Sequence, residues 1–319
     1  MKHLNTYITE YIIKKKLDKP IDSEDHYEYF PKTKDDLIEN LNELIAKDIY
    51  DFNCIDTSAI TDMSHLFNMS LEKLINHNLK NVNFDVSNWN VSNVENMSHM
   101  FYNCKEFNCD LSNWDVSKVT NMNNMFYCCF SFIGKGLENW NVSNVEDMNS
   151  IFYACNNLYC DLSNWDVSNV TDTSYMFGYC ANFNCDLSKW NVNNITNMRG
   201  MFECCKDFNC NLSKWDVSKV ENMQDVFYQC TNFKGEGLDK WNVSNVNNMA
   251  NMFQYCTNFN GDLSKWNVSK VKNTSSMFAL CYKFEGKGLN NWNISNVKNS
   301  EGMFYGCNNL KNIPSWYKK

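Results

Sequence analysis

Ten tryptophans stand at positions 89, 114, 140, 165, 190, 215, 241, 266, 292 and 316, so the nine intervals between them are 25, 26, 25, 25, 25, 26, 25, 26 and 24 residues. A fixed period of roughly 20 to 50 residues marks a chain built by stacking copies of one supersecondary unit, and it overrides any local reading of secondary structure. The three intervals of 26 have a local cause. Gly134-Lys135-Gly136, Gly235-Glu236-Gly237 and Gly286-Lys287-Gly288 replace a shorter Asn-Cys-Asp type of segment and add one residue, and glycine admits the bulged turn this needs.

Within one coil the apolar residues fall at Leu187, Trp190, Val192, Ile195, Met198, Met201, Phe202, Cys205 and Phe208. Met198, Met201, Phe202 and Cys205 follow the i, i+3, i+4, i+7 spacing of one face of a two-turn helix, as do Met97, Met100, Phe101 and Cys104. Trp190-Asn191-Val192 alternates apolar and polar, the pattern of a short strand. The expected fold is therefore an α/β repeat: a solenoid of about ten coils of 25–26 residues, each with a short strand and a short helix that bury their faces only by stacking on neighbours.

Residues 1–50 do not repeat. Leu4, Tyr7, Ile8, Tyr11 and Ile12 predict one helix, and Leu37, Leu41, Leu44 and Ile45 a second, with Thr33 placed to cap it. The chain divides on this reading into an N-terminal helical cap over 1–50 and a solenoid over 51–319, the helices covering the apolar cross-section that a solenoid end exposes.

The segment Leu187-Ser188-Lys189-Trp190-Asn191-Val192-Asn193-Asn194-Ile195 is similar to the strand segment of leucine-rich repeats, and the whole unit resembles the BspA-like leucine-rich repeat family. It resembles more closely a mycoplasma-type lipoprotein repeat known as a domain of unknown function, over about residues 55–316. The resemblance implies a right-handed leucine-rich-repeat-like solenoid engaged in surface display or partner binding, without enzymatic chemistry. The N-terminal residues lack the apolar run of a signal peptide and the lipid-attachment cysteine of secreted members, which favours a cytoplasmic or virion-associated protein over a surface adhesin displayed through a partner.

Charge and composition narrow the function classes. The net charge is -8 and Arg199 is the single arginine beside 54 asparagines, so the clustered guanidinium groups that nucleic-acid recognition favours are missing. Anionic membranes need the same positive clusters, and no apolar run is long enough to span a bilayer. All five histidines lie at or before His99, so the regular coils offer no imidazole base beyond it, and no enzyme and no cofactor are expected. His65 and His99, at equivalent coil positions, read as two exposed side chains. The cysteine column 104, 129, 155, 180, 205, 230, 256, 281 and 307 reads as buried, reduced thiols, and a second column of Cys109, Cys160, Cys185 and Cys210 lacks the paired spacing of a zinc site.

Candidate contact residues for a protein or glycan partner are those that should project outward. Lys189, Lys214, Lys240 and Lys265 precede Trp in four consecutive coils, where the early coils carry Asn, and would form a positive stripe with Asp166 and Asp216 at its flank. Tyr102, Tyr127, Tyr153, Tyr228 and Tyr305 each follow the coil's Phe, where a large, rigid ring with a polar tip suits an interface.

Overall fold

The computed structural model describes residues 27–68 and 79–317. The helix expected around Leu4 to Ile12 lies outside the described residues. The second is present as α1, Lys34–Ala46, with a reciprocal cap in which the Thr33 side chain accepts from Asp36 N–H and the Asp36 carboxylate accepts from Thr33 N–H. Its buried Leu37, Leu41, Leu44 and Ile45 join the apolar core that runs through the coils. Lys34 Nζ ties the helix to the first coil through Asp62 at 3.2 Å and Ser64 Oγ at 2.8 Å.

The coils stack in one parallel ladder. Asp62, Asn96, Asn121, Asp147, Asp172, Asn197, Asn222, Asn248, Asn273 and Asn299 each bridge to the next, one residue per coil. This corrects the strand assignment: the ladder runs through the Asx residue ahead of the first Met of each coil, or of Thr173, Thr274 and Ser300 in its place, and Trp190-Asn191-Val192 and its counterparts are extended links between turns with no bridge to their neighbours. The Asx side chain fits that place because its oxygen accepts the N–H two residues on, as Asn96 Oδ1 does from Ser98 at 3.0 Å, and so prepares the backbone for the turn that follows.

The expected two-turn helix is also corrected. From Met97 to Cys104, alternate amides leave the coil: Met97, His99, Phe101 and Asn103 donate to the carbonyls of Asn121, Asn123, Met125 and Tyr127 at 2.9, 2.8, 2.9 and 2.6 Å. The amides between them close tight turns, Met100 to Met97, Tyr102 to His99 and Cys104 to Phe101. His99 (φ 56°) and Asn103 (φ 63°) sit in the left-handed region, the third position of turns of this kind. Two successive four-residue turns repeat the i, i+3, i+4, i+7 inward spacing of a helix without its i→i+4 bonds.

Three columns of side chains lock the stack. The Phe column from Phe101 and Phe126 through Phe278 and Phe304 stacks ring on ring at 5.4 to 5.8 Å. Each indole N–H donates to a carbonyl of the preceding coil, for example Trp190 to Leu162 and Trp215 to Leu187, both at 2.9 Å. From Cys129 to Cys307 each thiol of the inner cysteine column does the same to a Phe carbonyl, for example Cys205 to Phe177 and Cys230 to Phe202, both at 2.9 Å. All sixteen cysteines are free. At the wide coils, Gly136 (φ 95°), Gly237 (φ 89°) and Gly288 (φ 92°) precede short 3-10 turns, and a Cβ on any of them would collide with the backbone of Ser112, Ser213 or Ser264.

Candidate interaction surfaces

Side chains that recur in every coil are held by the coils themselves. Asp115, Asp166 and Asp216 each accept the N–H of the serine two residues on at 3.0 Å, which makes them turn formers, and Ser117 holds the Asp115 carboxyl below the usual range. Asn144, Asn169, Asn194 and Asn245 each donate to a serine carbonyl of the preceding coil at 2.7 Å. Asn90-Val91-Ser92 and its repeats are turns of the same kind, with Ser92 N–H on Asn90 Oδ1 at 3.1 Å.

Lys189, Lys214, Lys240 and Lys265 are all exposed at one position of four consecutive coils. Carboxylates stand among them: Lys240 pairs with Asp239 at 3.1 Å, and Lys189 lies close enough to Asp161 and Asp186 to help hold both ionised. Of the five tyrosines, three come together. Tyr102, Tyr127 and Tyr153 form a parallel stack at 4.6 Å per step, half-buried, and Tyr153 continues to Tyr179 at 5.2 Å. Tyr228 meets Tyr255 edge-on at 6.2 Å, and Tyr305 stands by itself, 71% exposed.

The same face begins with a pair that corrects the reading of two exposed histidines. His65 and His99 are half-buried and stack at 4.3 Å with an interplanar angle of 18°, and Nδ1 of each is buried without a hydrogen-bond partner. Burial and the neighbouring His65 lower the His99 pKa. Further along, the Arg199 guanidinium lies 5.4 Å from the Tyr175 ring and its Nε is 3.7 Å from Asp225. Burial and the Asp225 charge raise the pKa of Glu203 beside them. Among the described residues no three His, Cys, Asp or Glu side chains gather as a metal site, and no helix is long and apolar enough to cross a membrane.

One surface was missed by sequence reasoning. A groove of about 800 Å³ opens where the wide coil at Gly134 meets the two shorter coils after it. Its signal was present as two broken columns. Leu158 stands where other coils carry Phe107, Phe132, Phe183 or Phe208, and Ile133 and Tyr159 stand where Asn108, Asn184 and Asn209 do. Those asparagines accept the amide of the next coil, as Asn108 does from Ile133 at 3.1 Å and Asn184 from Asn209 at 2.9 Å; at Ile133 the main-chain carbonyl takes over that role and accepts Tyr159 N–H at 3.1 Å.

A stack of near-identical coils joined by one continuous ladder defines a tandem-repeat solenoid. The chain belongs to the family described as Mycoplasma protein of unknown function, DUF285, whose model matches three successive stretches, residues 36–135, 129–237 and 223–318. A search of curated proteins finds no match. Among solved structures, the crystal structure of the TLR13–ssRNA13 complex is similar at 10% identity with a TM-score of 0.26, over 82% of this chain and 51% of that one. The chain thus spans about half the length of that relative.

Proposed function

We propose that this chain is a non-enzymatic repeat module that binds a protein partner along the side of its coil stack. The observation that carries the reading is the division of labour among polar side chains: the recurring Asx, Ser, Trp and Cys groups are spent on bonds within and between coils, while the residue before Trp, which changes from Asn to Lys along the array, lies on the outside. A rigid rod of this kind offers a long surface in fixed register, with little loss of conformational freedom on binding. The likeness to BspA-like leucine-rich repeats supports the same reading. The lysine stripe of Lys189, Lys214, Lys240 and Lys265, with Asp166 and Asp216 beside it, is one candidate contact, for an acidic protein or glycan. The tyrosine face from Tyr102 through Tyr228 is another.

The experiment is capture from host extract on the immobilised full chain, with saturable binding measured for each partner recovered. A partner of defined stoichiometry supports a binding module. Replacing the four stripe lysines by Asn, the residue used there in Asn88, Asn113 and Asn164, assigns or removes the stripe. Recovery of nothing saturable, together with chemical conversion of a component of the extract, overturns the reading.

A further inference from the structure

Two of the large apolar side chains that the described chain leaves exposed, Ile133 (41%) and Tyr159 (89%), lie on two consecutive coils and line the groove after Gly134. Contiguous apolar surface on an otherwise polar rod marks a contact site more strongly than scattered exposed residues do. The second wide coil is the control. There Phe259 keeps its place in the column and packs where a Cβ of Gly235 would go, while Asn260 takes the outer position. Widening alone therefore does not open the groove. At Gly134 the smaller Leu158 and the Cys160 thiol take the place that the Phe259 ring fills at Gly235, and Tyr159 puts a ring on the groove's rim.

The charges around the groove are uneven. Glu138, Asp161 and Asp186 line it and are exposed, whereas Lys135 is occupied by Asp110 at 2.7 Å and the one further lysine near them, Lys189, is shared between Asp161 and Asp186, which leaves the carboxylates in excess. The amide of Ser163 on Asp161 and that of Ser188 on Asp186, each at 2.9 Å, keep both carboxylates ionised. An apolar recess edged by carboxylates accepts an apolar anchor that carries positive charge on its flanks. It repels a second copy of itself, because the chain bears a net charge of -8 and an isologous contact would set carboxylates against carboxylates.

We propose that this groove is the docking site for a partner peptide segment with one large apolar or aromatic anchor between basic residues, the anchor seated against Leu158 and Tyr159 and the bases facing Glu138, Asp161 and Asp186. The proposal rests on the reading of the chain as a binding module and names one of its sites.

The test uses the full chain and an array of dodecapeptides with a central Trp, Phe or Leu flanked by Lys and Arg, beside a matched set flanked by Glu, with affinities measured by fluorescence anisotropy. Basic-flanked peptides are expected to bind at least tenfold more tightly than acidic-flanked ones. Tyr159→Asn, which installs the residue of neighbouring coils, lowers that affinity tenfold or more with an unchanged melting temperature. The double variant Asp161→Asn, Asp186→Asn keeps both turns, as Asn211 does with Ser213 at 3.0 Å, yet weakens binding and flattens its salt dependence. Equal affinity for the two peptide sets, or unchanged affinity in Tyr159→Asn, overturns the assignment. So does a wild-type dimer that Tyr159→Asn renders monomeric, which gives the groove to a second copy. A host partner captured equally by the wild type and Tyr159→Asn leaves the binding-module reading standing and removes the groove from it.

Discussion

The indole N–H of Trp190 donates to the main-chain carbonyl of Leu162, one coil earlier, at 2.9 Å, and the ring is buried. Trp190 thus fills its layer and adds a bond between coils to a carbonyl that also closes the turn to Trp165 N–H. Trp190→Phe keeps most of the ring and removes one of the two hydrogen bonds that the Leu162 carbonyl accepts, the other coming from Trp165 N–H at 3.1 Å, and should destabilise by about 0.5–1.5 kcal/mol. Trp190→Ala should lose about 3–5 kcal/mol. Trp316 makes the same bond to Leu289 at 2.8 Å but is only half-buried, so Trp316→Ala should lose much less. Denaturant midpoints for the three variants check this, and equal shifts at 190 and 316 contradict a stack of nearest-neighbour interfaces.

Cys128 and Cys129 are adjacent in sequence and opposite in environment. The Cys129 thiol is buried and donates to Phe101 O at 3.1 Å, and burial raises its pKa well above the usual value, whereas Cys128 is half-exposed and less raised. A thiol reagent applied to the native chain at pH 8 should modify Cys128 first and leave Cys129 silent until unfolding. Peptide mapping after timed quenching reads the order. Because the column is buried thiol and not disulfide, reductant should leave the melting temperature unchanged.

His99 gives the stack a pH dependence near neutrality. Its folded-state pKa is lowered, first by burial and then by His65, with Asp147 opposing. Its contribution is therefore complete above the unfolded value of about 6.5 and is lost as pH falls from there towards the folded value. His99→Asn, which copies Asn124 of the next coil and its left-handed backbone, should flatten that part of the stability curve. The variant should leave a separate acid limb, where Asp110 and Asp262, lowered to about 2 chiefly by Lys135 and Lys287, lose their ion pairs between pH ~4 and ~2. Equal slopes between pH 5 and 7 for wild type and variant would falsify the assignment to His99.

Gly136 and Gly302 separate two uses of glycine. Both have positive φ, 95° and 63°, but a Cβ at Gly136 meets the Ser112 backbone while one at Gly302 meets only Ser276 Oγ at 3.4 Å. Gly136→Ala should cost about 1–3 kcal/mol or more. Gly302→Asn, with a residue that tolerates the left-handed region, should be nearly neutral. Thermal melts of the pair check the difference.

The tryptophan spacing carried the architecture, because one large buried side chain per coil fixes the repeat length whatever backbone lies between. The helix and strand assignments failed for a physical reason. Two four-residue turns and a two-turn helix both bring residues 97, 100, 101 and 104 to one side, so spacing cannot tell them apart. The sequence held a second signal: Asn121-Met122-Asn123-Asn124 is poor in helix formers, and the left-handed column of His99, Asn124, Gly200, Asp225 and Asn251 is rich in residues that accept positive φ. Exposure of the four lysines was legible, as was the outward place of Tyr305. The stacking of Tyr102 on Tyr127 was not, since it depends on the rise between coils, and neither was the groove, which arises from Leu158 and Tyr159 departing from two columns at once.

The coils are joined in one direction through their turns, where amides of one coil donate to carbonyls of the next. Gly200, Phe202 and Cys204 donate to Gln224, Val226 and Tyr228 at 2.9, 3.0 and 2.7 Å, whereas the equivalent amides of Gly302, Phe304 and Gly306 have no acceptor among the described residues. Residue-resolved amide hydrogen exchange on the native chain measures this. The predicted result is slow exchange at 200, 202 and 204 and fast exchange at 302, 304 and 306, with the carbonyl-bonded Met303 and Tyr305 amides between them more protected than their neighbours. Uniform protection across 302–306, or fast exchange throughout 200–204, would contradict the stack.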